Sequence, residues 1–155
     1  MPLANSSADC RLPAGTRSHR SGPTILVADD SRAVLRVTER VLVSAGYQVV
    51  SAEDGREAVR RALVTKPRLI VLDINMPELN GYAVCHHLLT QRRWDPRTPV
   101  IFLTSSDGPH LASLGDRFGA YLSKPADPRL LLQTVRTLLD PQTRKHTNQP
   151  CFLSG

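Results

Sequence analysis

Residues 69–81 read LIVLDINMPELNG. Leu69–Leu72 is a short, continuous apolar run, the pattern of a strand buried on both faces. It stops abruptly at Asp73. The next residues, Ile74–Gly81, hold a proline and a glycine and read as a loop. The segment therefore predicts a buried strand that presents a carboxylate at its carboxyl end.

The same pattern recurs on both sides. Thr24–Ala28 (TILVA) is a short apolar run that ends in Asp29-Asp30. Ser31 can cap a helix there, and Val34, Leu35, Val41 and Leu42 follow at helical spacing. Gly46 stops that helix, because glycine tolerates the left-handed conformation of helix ends. Gln48–Ser51 reads as a second strand, and Asp54 can cap a helix over Arg56–Val64, with Pro67 after its end. Beyond the opening segment, a helix runs from about Tyr82 to Arg92. Val100–Leu103 is a strand ending in Thr104. A short helix near His110–Phe118 and a strand around Ala120–Ser123 follow, and Lys124-Pro125 ends that strand. Asp127 caps the last helix with Pro128 at its first position, where the missing N–H costs nothing. Its inner stripe is Leu131, Val135 and Leu138.

Five strands alternating with five helices predict an α/β fold, a doubly wound five-stranded parallel sheet with helices on both faces. Ligands bind such sheets at the carboxyl ends of the strands, where the strand order reverses. The polar residues fall there. Asp29 and Asp30 end the first strand, Asp73 the third, Thr104 the fourth and Lys124 the fifth. Singly, each has an ordinary explanation: a helix cap for Asp29, Asp30 or Thr104, a turn residue for Asp73. Together they place three carboxylates, a hydroxyl and an ammonium on one edge. Crowded carboxylates repel, and a divalent cation relieves the conflict; an all-oxygen donor set suits Mg²⁺. An ionised carboxylate beside a cation and a lysine is suited to phosphoryl transfer, with Thr104 donating to a phosphoryl oxygen.

Composition sets the limits. The 155 residues suit one domain, and 41% hydrophobic residues can build one core. No apolar run approaches the roughly 20 residues that span a bilayer, and the first residues lack a signal-peptide stretch. A cytoplasmic protein without membrane association is expected. The net charge of +6 is spread along the chain, and aromatics make up only 5%, so no direct nucleic-acid binding is expected. Cys10, Cys85 and Cys151 lie far apart and lack metal-ligand spacing. Residues 1–22 and 141–155 have no apolar period and read as a disordered extension and a flexible tail around a folded part, 23–140.

The motifs ILVADDS, LIVLDINMPELNGY, VIFLTSS and YLSKP resemble the receiver domain of two-component response regulators, over residues 24–139. The match looks closest to stand-alone receivers of chemotaxis-like and twitching-motility systems. The resemblance implies a flavodoxin-like receiver fold with Asp73 as phosphoacceptor. It implies Mg²⁺ bound by Asp30, Asp73 and the backbone carbonyl of Asn75, with Asp29 acting through a metal-bound water. Lys124 would pair with the acceptor carboxylate or its phosphoryl group, and the Lys–Pro bond is typically cis. Thr104 and Tyr121 would be a switch pair, the ring turning inward behind the threonine. Expected partners are a sensor histidine kinase or phosphotransfer protein and an unknown downstream protein target.

The sequence departs from the family's pattern at three points. Ser105 stands where Ala is usual, and Ala126 where Phe is common. The Thr104-to-Lys124 interval is about two residues short, which predicts a shortened fourth helix and loop, part of the family's signalling face. Three other functions compete. A phosphohydrolase with an Asp nucleophile needs a carboxylate two residues on, where this chain has Asn75, an amide with no useful pKa. A phosphorylation-independent interaction module would not need the complete acidic set. A DNA-binding regulator would need an output domain, and residues after 140 are too few for a helix-turn-helix. A signalling switch that catalyses its own phosphorylation and dephosphorylation, rather than an enzyme, is the expected function.

Overall fold

Each apolar run becomes a strand of five residues. The computed structural model describes residues 22–105 and 119–144, with strands β1 (Thr24–Ala28), β2 (Gln48–Ala52), β3 (Leu69–Asp73), β4 (Val100–Thr104) and β5 (Gly119–Ser123). They form one parallel sheet in the order β2-β1-β3-β4-β5. The chain moves outward from β1 to β2, then crosses back to β3 and beyond, so the order reverses between β1 and β3.

Strand alternation sorts the core into two halves, because successive side chains point to opposite faces. Leu26, Ala28, Ile70, Leu72, Val100 and Phe102 pack with Ala58 and Ala62 of helix α2 (Gly55–Thr65) and Val84, Cys85 and Leu88 of helix α3 (Gly81–Leu89). On the other face, Ile25, Val27, Leu69, Val71, Ile101 and Leu103 meet Leu35 and Leu42 of helix α1 (Arg32–Ser44) and Leu131 and Val135 of helix α4 (Pro128–Leu139). β3 and β4 are buried along their whole length, which is why they read as unbroken apolar runs. Cys85 is packed inside, and burial pushes its thiol up to about 12, so it stays protonated and unreactive at neutral pH.

The helix starts follow side-chain chemistry. Ser31 Oγ accepts from the Val34 N–H at 3.5 Å, and Asp54 Oδ1 from the Glu57 N–H at 2.7 Å. Asp127 Oδ1 accepts from the N–H groups of Arg129 and Leu130 at 2.7 and 3.1 Å. Each cap satisfies donors that a helix end leaves open. Gly46 has φ +93, as a left-handed stop after α1 requires.

Some expectations shift. α3 ends at Leu89, not Arg92. Thr90 caps it, its N–H bonded to the His86 carbonyl, and Gln91 and Trp94 continue as a turn. Pro141–Arg144 adds a single helical turn, α5, within the stretch expected to be flexible. The short helix near His110–Phe118, with its predicted shortening, lies outside the described residues. So do most of the two terminal segments. Among the described residues, no helix is long and apolar enough to cross a membrane.

Candidate functional site

The reversal between β1 and β3 opens the carboxyl edge of the sheet, and the chemistry-bearing residues line it. Asp29 follows β1 and is fully buried, while Asp30 beside it is exposed. Asp73 closes β3 with 3% exposure. One oxygen from each of Asp29, Asp30 and Asp73 fits within a 4.8 Å cluster. Thr104 ends β4, buried, and its carbonyl accepts from the Lys124 N–H at 2.8 Å. That bond fixes where the lysine leaves β5. The Lys124–Pro125 peptide bond is cis.

Lys124 reaches back across two strands. Its Nζ lies 2.6 Å from Asp29 Oδ2 and 3.1 Å from Asp73 Oδ2. The sequence pointed to the Asp73 partnership, and the structure adds Asp29 as the nearer one. The Asp29 contact is an ion pair at hydrogen-bonding distance that helps hold the ammonium charged. The other carboxylate oxygens are held by backbone: Asp29 Oδ1 accepts from the Ser31 N–H at 2.9 Å, and Asp73 Oδ1 from the Asn75 N–H at 3.1 Å. Asn75 thus holds Asp73 through its main chain while its side chain stays exposed.

Electrostatics at Asp73 are finely opposed. Burial pushes its carboxyl above the usual range, and the Asp29 charge adds to that. The Lys124 ammonium and the Asn75 N–H pull back without cancelling the rise. For Lys124, burial works against the charge, but the two carboxylates outweigh it and hold the ammonium above its ordinary value. Three carboxylates against one ammonium leave a net charge near −2. An all-oxygen donor set with that deficit fits a hard divalent cation such as Mg²⁺.

The loop after Asp73 is shaped by two features that composition alone does not show. Asn80 Oδ1 caps α3 by accepting from the Ala83 N–H at 2.9 Å. Gly81 packs its backbone against Asp73 itself: a Cβ there would stand 2.6 Å from the Asp73 carbonyl oxygen and 3.1 Å from the Ile74 Cα. Gly81→Ala should therefore lose about 1–3 kcal/mol of stability and displace Asp73. Gly46→Ala is the control. Nothing lies within 4 Å of its Cβ, but the positive φ is strained, so it should lose about 1–2 kcal/mol and leave the site untouched. Urea melts with the Asn75 amide resonance as site reporter separate the two; an unmoved Asn75 signal in Gly81→Ala would refute the coupling.

Behind Thr104, an aromatic ladder crosses from β5 to α3. The Tyr121 ring stacks on Phe102 with centroids 5.1 Å apart and planes at 24°, and Phe102 meets Tyr82 at 5.1 Å. Tyr121 and Phe102 are paired in the β4–β5 register. The Tyr121 hydroxyl is buried without a hydrogen-bond partner. Burial raises its pKa, and the nearby Tyr82 phenol adds to the rise.

Comparison with known proteins agrees with this geometry. Residues 25–136 match the family model described as response regulator receiver domain. The chain belongs to that family. It is similar to protein PilG of Pseudomonas aeruginosa, at 36% identity over 117 residues, 74% of this chain and 86% of that protein. It is also similar to the alkaline phosphatase synthesis transcriptional regulatory protein PhoP of Bacillus subtilis, at 38% identity over 74% of this chain and 48% of the relative. The chain thus spans about half the length of several curated relatives it matches. Among solved structures it resembles chemotaxis protein CheY4 of Vibrio cholerae, with TM-score 0.69 and 31% identity over 76% of this chain and 98% of that one. The receiver domain of sensor histidine kinase PA1611 from Pseudomonas aeruginosa, solved with a magnesium ion coordinated in its active-site cleft, has TM-score 0.68 and 29% identity over 76% of this chain and 98% of that one. The chain is therefore a receiver domain of the two-component type, a class of signalling switch.

Proposed function

We propose that this receiver takes a phosphoryl group on Asp73 and thereby switches its binding to a partner. One observation carries the choice of residue. Asp73 ends the central strand β3, with the acidic pair of β1 on one side and Thr104 and Lys124 of β4 and β5 on the other. Asp29 and Asp30 share the acidic cluster but end β1, one strand farther from the Thr104 hydroxyl than Asp73.

In the step, an Asp73 carboxylate oxygen attacks the phosphorus of a phosphohistidine on a sensor kinase or phosphotransfer protein. The P–N bond breaks, the imidazole leaves with the electron pair, and an acyl phosphate forms. Lys124 balances charge on the phosphoryl oxygens, and the Thr104 hydroxyl donates to one of them. Asp30, Asp73 and the Asn75 carbonyl would hold Mg²⁺, with Asp29 acting through a bound water. When bound, the cation supplies further positive charge against the transferring group. Water later attacks phosphorus, the bond to Asp73 breaks, and the carboxylate and inorganic phosphate are released. Position 75, an amide, provides no general acid for fast turnover, which favours a slow self-catalysed reset over a phosphohydrolase.

A groove of about 230 Å³ borders Lys124 between α1 and the start of α4. Val34, Val37, Val41 and Leu131 line it, and Val37 is 60% exposed. It offers an apolar docking surface beside the site to the phosphoryl donor. Incubation with Mg²⁺ and a small acylphosphate should add the mass of one phosphoryl group, and peptide mapping should place it on Asp73. A label on another residue, or none with Mg²⁺ present, rejects the assignment.

A further inference from the structure

Helices α1, α2, α3 and α4 each follow a strand of the parallel sheet and run back against it, so their carboxyl ends gather at the sheet edge opposite the acidic site. Backbone bonds tie the loops there side by side. The Gly22 N–H donates to the Gly46 carbonyl at 3.1 Å, the Arg68 N–H to Thr24 at 2.8 Å, and the Ile70 N–H to Pro99 at 3.0 Å.

Two kinds of side chain outnumber the exposed carboxylates Asp95 and Asp140 at this edge. Lys66 caps α2, Arg92 and Arg93 follow α3, and Arg136 lies in the last turn of α4. All four are exposed and form no ion pair among the described residues. Elsewhere several arginines are paired: Arg32 with Glu53, Arg56 with Glu78, and Arg60 and Arg61 share Glu57. The second kind is aliphatic. Of the large apolar residues the fold leaves exposed, Val43 at 57%, Val64 at 78% and Leu89 at 41% each sit in the last turn of a different helix, α1, α2 and α3.

Against the expectation of no membrane association drawn from composition, we propose that this edge is a peripheral, non-spanning docking surface for an anionic lipid bilayer. Unpaired cations attract acidic headgroups, and single aliphatic side chains set between them enter the headgroup boundary. Separate aliphatic points on three helix ends suit a bilayer better than a protein partner, whose interface would bury one contiguous apolar centre. They also argue against nucleic acid, whose phosphates gain nothing from Val or Leu. The acidic site faces away from the docked surface and stays open to proteins. The proposal concerns a different face from the phosphoryl chemistry and stands apart from it.

The test uses the full chain with vesicles of phosphatidylcholine, with and without phosphatidylglycerol, in a co-sedimentation assay. Binding should require phosphatidylglycerol and weaken as salt rises. Arg92→Gln with Arg93→Gln should weaken it about 25-fold, roughly fivefold per cation. Leu89→Ser with Val64→Ser should weaken vesicle binding while leaving retention on a heparin column unchanged, since that column reads charge alone. Circular dichroism melts confirm that each variant is folded. No binding to either vesicle, equal binding of the arginine double variant, or tighter binding to duplex DNA than to anionic vesicles each overturns the proposal.

Discussion

Asp73→Asn should take up no phosphoryl group from an acylphosphate donor, yet melt no lower than the wild type. The amide keeps the shape of the carboxylate but cannot form an acyl phosphate. Its effect on stability follows from the sign of the perturbation. Burial and Asp29 raise the Asp73 pKa in the folded state, so the ionised carboxylate opposes folding at neutral pH. A group of this sign opposes folding fully above its folded pKa and ceases to do so as pH falls below its unfolded value. Asparagine removes that opposition and lessens crowding in the acidic cluster. Intact mass after labelling and thermal melts at neutral pH check both halves. Labelling at the wild-type rate would move the acceptor elsewhere, and a clear fall in melting temperature would mean the Lys124 contact outweighs the repulsion.

Lys124→Ala should have the larger cost in stability. Its ammonium is the common partner of two carboxylates, one of them fully buried. Removing one member of a buried pair leaves uncompensated charge and typically costs about 3–5 kcal/mol. Two responses limit the loss. One carboxyl can take up a proton, so the deficit should shrink as pH falls. A divalent cation can replace the missing positive charge, so added Mg²⁺ should restore more stability to the variant than it adds to the wild type. In the wild type the raised folded pKa of Lys124 means its contribution is complete at neutral pH and is lost only as pH rises beyond about 10.5. Urea melts at neutral and mildly acidic pH, with and without Mg²⁺, measure all of this. Equal stability of variant and wild type at neutral pH would show that the ion pair contributes nothing net.

Much of this molecule is legible from residues alone because its central strands are buried on both faces. LIVLD and VIFLT announce themselves as continuous apolar runs, and their ends place Asp73 and Thr104 without ambiguity. Asp54 and Asp127 are readable caps because each stands just before an amphipathic stretch. The end of α3 is less readable. Thr90 and Gln91 carry no stop signal, and the first proline after the helix is Pro96, so periodicity overruns into Arg92. Asn80 was hidden for the opposite reason, since in a loop rich in turn residues a cap looks like part of the turn. What sequence could not supply is proximity across the sheet. The preference of Lys124 for Asp29, the pressure of Gly81 on Asp73 and the Tyr121–Phe102 stack all depend on strand register and backbone approach.

The uniform strand length has an electrical consequence. Five residues at about 3.3 Å each separate the two edges of the sheet by roughly 17 Å. At physiological ionic strength the Debye length is about 8 Å, and at 0.01 M about 30 Å. In the first regime a visitor to one edge does not feel the other, and the formal charge of the whole chain predicts neither encounter. In the second the fields overlap, and the molecule behaves as a dipole aligned with its strands, turning its acidic end toward cations and its basic end toward anions before contact.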